Sequence, residues 1–206
     1  MYDCLARDLV EPQLHLTTTL GAGMELSLIE MSDDATVIMS RRPVDQVLVE
    51  ELQKMKSNEA RSHGNYLPAL NQVEQVLEAD MFGESQLFVF FLSDGSPSDH
   101  CFLTCDHGVE VWQPELGGGR QRQLQRCPTT HHCRQQLRDS VSSDCLAKVR
   151  NLGDIYGTDR LHLSTIGFGS PQDDYTVLQR MTAELPRNSF QKLGLSANSL
   201  KRRCQP

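Results

Sequence analysis

The chain has 206 residues and a mass of 23.2 kDa, with 38% hydrophobic and 23% charged residues, the size and mixture of one globular domain with a single core. Acidic residues outnumber basic ones 27 to 20, and a net charge of −7 argues against general affinity for nucleic acid. No apolar run approaches the roughly eighteen residues of a membrane span, and Met1–Asp8 lack a basic-then-apolar leader, so neither a span nor a secretory signal is expected.

The charge is unevenly placed. Residues 1–117 hold 20 acidic and 6 basic side chains, whereas residues 118–150 hold 2 and 7. A basic stretch inside an acidic chain fits either a solvated helix face or a docking surface. The seven cysteines, an odd number without a secretion signal, imply reduced thiols and an intracellular, cytoplasmic protein.

In chain order, residues 1–12 read as a helix with Leu5 and Leu9 on its apolar side and Pro12 as its stop. Residues 24–31 nearly alternate apolar and polar and predict a strand; Ser32-Asp33-Asp34 is a turn, and residues 35–39 make a second strand of an antiparallel hairpin. Pro43 is expected to open a helix with Val44, Val47, Leu48, Leu52 and Met55 on one face. After a polar loop over 57–66, Leu67, Leu70, Val73, Val76 and Leu77 recur at helical spacing. The apolar run Leu87–Leu92 stops at Ser93-Asp94-Gly95 and predicts a parallel strand buried on both faces.

Residues 100–130 break this rhythm, with a small hairpin expected around Asp106-His107-Gly108 and a flexible loop at Gly117–Gly119. A long helix follows, with Leu137, Val141, Cys145, Val149 and Leu152 in one stripe, then a strand at Leu161–Gly167. Ser170-Pro171-Gln172-Asp173 has the cap, proline and acid of a helix start, and Val177, Leu178, Met181 and Leu185 give that helix a core face. Residues 193–206 read as a weaker helix. Strands alternating with helices predict an α/β fold: a doubly wound, mostly parallel Rossmann-like sheet with one antiparallel edge strand. Ligands of such sheets sit at the carboxyl ends of strands, where Asp94 stands.

Four pieces in the same order resemble the von Willebrand factor type A (vWA) domain family. Leu87–Gly95 resembles its fourth-strand signature and Leu163–Gly169 its fifth strand. Leu28–Val37 resembles its second-to-third strand hairpin, and Gly64–Leu70 the loop and helix before the fourth strand. The resemblance spans roughly residues 1–98 and 132–203 of one domain, 1–203, with residues 99–131 as an inserted Cys/His-containing loop. It implies a protein-binding module with a metal-ion-dependent adhesion site, whose hard oxygen ligands suit Mg²⁺. The chain departs from that pattern. It has no Asp-x-Ser-x-Ser, Gly64 stands at the threonine position, and only Asp94 of the site is kept. A weak, remnant Mg²⁺ site is the expectation, Asp94 acting with Ser96 or Ser98. The family's first, central strand has no counterpart, so a truncated chain is also expected.

Cys101, Cys105, His107, Cys127, His131 and Cys133, with His132 between the last two, form a candidate zinc set of thiolate and imidazole ligands. The alternative is small buried thiols beside exposed histidines, since neither half has the common Cys-x2-Cys spacing. The same residues, or Asp99-His100, could serve nucleophilic or acid–base chemistry only with an orienting third group that the sequence does not reveal. Gly21-Ala22-Gly23 and Gly167-Phe168-Gly169 lack the lysine of a phosphate loop.

The function expected is protein–protein interaction without catalysis. The partner is another protein, with neither nucleic acid nor membrane involved. The contact rim comprises Ser93, Gly95, Ser96, Asn65 and Tyr66 at the strand ends. The alternative is a fragment of a larger enzyme-associated protein of kinase or ubiquitin-ligase type, or a zinc-stabilised binding module. Upstream sequence would separate these readings.

Overall fold

A computed structural model describes residues 10–11, 14, 23–32, 34–55, 64–99, 130–169 and 172–194, without the side chains of 130–137 and 193–194. Strands β1 (Glu25–Met31) and β2 (Ala35–Pro43) pair antiparallel, from Glu25 opposite Pro43 to Met31 opposite Ala35. The register slips on either side of Leu28, and Arg41 takes a left-handed φ of 50° nearby, its N–H bonding the Ser27 hydroxyl. Helix α1 (Gln46–Lys54) follows, then α2 (Tyr66–Leu77) with a 3₁₀ turn at Glu78–Asp80. Strand β3 (Leu87–Ser93), α3 (Thr130–Tyr156), β4 (Leu161–Gly169), α4 (Thr176–Ala183) and β5 (Asn188–Gly194) complete the order. The fold is mixed α/β, with a parallel sheet ordered β3-β4-β5 and a separate antiparallel hairpin.

Two apolar clusters hold these parts. The larger joins Tyr66, Ala69 and Leu70 of α2 to Val141, Cys145 and Val149 of α3, Leu178 and Met181 of α4, and the Leu87, Phe91, Leu161 and Leu163 side of the sheet. The smaller packs Val10 with Leu48, Val49 and Leu52 of α1, against Leu26, Leu28 and Met39 of the hairpin. Met31 and Ala35 reach the larger cluster, so the hairpin leans on both. The long stripe expected in α3 is buried from Val141 to Leu152; the side chain of Leu137 lies outside the described residues.

Several expectations need correction. Pro43 ends β2 instead of opening a helix; Asp45 caps α1, its carboxylate accepting the Leu48 N–H at 2.8 Å. Val47 is 55% exposed and Val49 is buried in its place, because Leu48, Val49 and Leu52 are the residues that α1 turns toward Val10 and the hairpin. Helix α4 starts at Thr176 and does not include Gln172 or Asp173, with Asp174 accepting the Thr176 N–H at 2.9 Å. Leu193, expected in a terminal helix, lies in β5, opposite Phe168 in its parallel pairing with β4. The antiparallel hairpin is not an edge of the parallel sheet but a sheet of its own. Finally, β3 is buried on one face: Leu87 and Phe91 lie under the helices, whereas Phe88, Phe90 and Leu92 are exposed. The expectations for residues 1–9, 12, 21–22, 33, 57–63, 100–129, 170–171 and 195–206 lie outside the described residues.

Candidate functional site

Strands β3 and β4 end side by side, Ser93 opposite Gly167, and the segments beyond them form a rim with the start of α2. The first four N–H groups of a helix need acceptors. Asn65, at the N-cap of α2, makes no side-chain cap bond. The carboxylate of Asp99 does this instead: Oδ2 accepts the Tyr66 N–H at 2.7 Å and Oδ1 the Leu67 N–H at 2.9 Å. Burial raises the Asp99 carboxyl above its ordinary range, and the amide bonds oppose that shift. Each carboxylate oxygen thus accepts one N–H of the first turn of α2, so Asp99 serves as the cap of that helix; His100, weighed with it for acid–base chemistry, lies outside the described residues.

The β3 exit loop is pinned from two sides. The Tyr66 hydroxyl donates to the Gly95 carbonyl, and its ring meets Phe91 edge-on at 4.8 Å. The Ser96 hydroxyl donates to the Asp174 carbonyl at 3.2 Å. The Ser98 N–H donates to the Gly64 carbonyl at 3.1 Å, and the Asn65 N–H to the Ser32 carbonyl at 3.0 Å. Burial raises the Tyr66 phenol, so it works as a neutral donor. Hydrogen bonds from Thr176, its side chain first, hold the Asp174 carboxyl below its ordinary range.

Glycines let the β4 end close against this loop. A Cβ on Gly167 would lie 2.5 Å from Cδ1 of the Tyr175 ring. Gly169, at φ +148°, passes so near that its Cβ would meet an Asp173 carboxylate oxygen at 2.5 Å and the Asp94 carbonyl at 3.3 Å. Lys192 of β5 lies over the Tyr175 ring, 4.8 Å from its centroid.

The structure therefore gathers Ser93, Asp94, Gly95, Ser96, Asn65 and Tyr66 around one strand end, but at different depths. Ser93, Asn65 and Tyr66 are buried; Gly95 is half-buried; Asp94 and Ser96 are exposed. A partner resting on the rim would touch Asp94 and Ser96, beside exposed Asp173 and Asp174. Among the described residues no three His, Cys, Asp or Glu side chains come close enough to hold a metal ion. The zinc residues Cys101, Cys105, His107 and Cys127 lie outside the described residues, as do the side chains of His131 and Cys133. Cys145 is buried in the core and burial raises its thiol, which suits packing.

Sequence reasoning missed Asp99 as a cap and Tyr175 as the residue that fills the space left by Gly167. The tandem Asp173-Asp174 before Tyr175 was the available signal for the second. No family model and no curated protein matches the chain. An uncharacterized membrane spanning protein from Vibrio fischeri is similar over 96% of this chain and 81% of that one, at 12% identity and a TM-score of 0.26, which carries no argument. No helix among the described residues is long and apolar enough to cross a membrane.

Proposed function

We propose that the chain is a protein–protein interaction module of the von Willebrand factor type A kind, with a degenerate ion site at Asp94 and no catalysis of its own. In this reading the hairpin and the parallel sheet are two sides of one doubly wound, mostly parallel sheet. The order of hairpin, helices and three parallel strands, with Asp94 at the β3 exit, supports it. The observation that carries it is the pinned exit loop, which presents Asp94 and Ser96 on a scaffold fixed by Tyr66, Gly64 and Asp174. A preorganised loop binds a protein surface at less entropic cost than a loose one. The exposed acids of the rim favour a partner surface with basic groups.

The test is quantitative affinity capture with the native chain, Asp94→Arg and Ser96→Arg. The expected result is that at least one protein is depleted by about tenfold in both variants, a loss of about 1.4 kcal/mol. An identical captured set from all three would remove the rim as a binding surface.

A further inference from the structure

We draw no further inference here: the strongest candidate, the exposed row of Phe88, Phe90 and Leu92 on the second face of the parallel sheet, is an apolar sheet face, and nothing among the described residues shows what covers it.

Discussion

Neighbouring residues of β3 live in opposite surroundings. Leu87 and Phe91 are each 6% exposed beneath the helices, while Phe88 and Phe90 are 59% and 45% exposed. Strand β4 repeats the contrast: Leu161, Leu163 and Thr165 are buried, and His162, Ser164 and Ile166 are half-buried. The buried row of β4 carries a closed polar set, in which the Thr165 and Thr182 hydroxyls meet each other and the Leu178 carbonyl. The half-buried row is looser, with Ser164 bonding Ser189 and His162 stacking on Phe88. One sheet thus has a packed face fixed by α2, α3 and α4, and a second face with more access to solvent. Hydrophobic stabilisation scales with area removed from water, so equal side chains on the two faces contribute unequally.

The largest expected effect breaks that contrast directly. Phe91→Ala should lower unfolding stability by about 3–5 kcal/mol, through lost burial and the cavity left against Tyr66. Phe90→Ala should cost under about 1 kcal/mol, since its side chain already meets solvent. Urea unfolding of both proteins checks this, and equal losses would mean that the second face is covered as well as the first. Next in size is Gly167→Ala on β4. Its methyl would collide with the Tyr175 ring, and overpacking of this kind costs about 1–3 kcal/mol. Tyr175→Ala in the same background should recover part of that loss, which a double-mutant cycle would measure.

Asp99 sharpens a different comparison, between a local cap and a distant one. Asp45 caps α1 from the adjacent position, whereas Asp99 caps α2 from 33 residues downstream. Asp99→Ala should cost about 1–2 kcal/mol and also loosen the rim, where Asp45→Ala should cost about 1 kcal/mol without touching it. The two also differ with pH. Burial raises the folded Asp99 carboxyl above the ordinary value of 3.8, so the folded state takes up that proton more readily than the unfolded chain. Its contribution to stability therefore grows as pH falls through the folded pKa toward the unfolded one. The stability of the native chain relative to Asp99→Asn should rise over that window; a flat difference would mean that the carboxyl is not desolvated.

These same residues mark how far the sequence could be read. The hairpin was legible because residues 24–31 alternate and Ser32–Asp34 is a turn. The faces of α3 and α4 were legible because their apolar residues recur at helical spacing. The second face of β3 was not legible, because an unbroken apolar run has the same composition whether one face is covered or two. Strand β5 was missed because Asn188-Ser189-Phe190-Gln191-Lys192 carries one large apolar side chain, and pairing with β4 rather than local propensity makes it a strand. The place of Asp94 just past β3 could be read, since a strand end announces itself. The work of Asp99 could not, since its acceptor role depends on a helix start far away in sequence.

The smallest expected effect concerns the ion. Adding about 5 mM Mg²⁺ should change the thermal midpoint by less than about one degree. A ligand stabilises the native state in proportion to its occupancy, and Mg²⁺ demands near-octahedral oxygen ligation with little tolerance for a partial shell. Asp94 offers one exposed carboxylate. Ser96 already donates to Asp174, and Asp99 already serves α2 with both oxygens. Gly64 contributes a carbonyl to Ser98 and no side chain. A single carboxylate in water holds Mg²⁺ too weakly for much occupancy at that concentration. A rise of several degrees, lost in Asp94→Ala but kept in Asp173→Ala, would mean that the rim completes an ion shell with groups beyond these four residues. A rise lost equally in both variants would trace instead to the acidic charge of the rim as a whole, which about 0.15 M salt should screen.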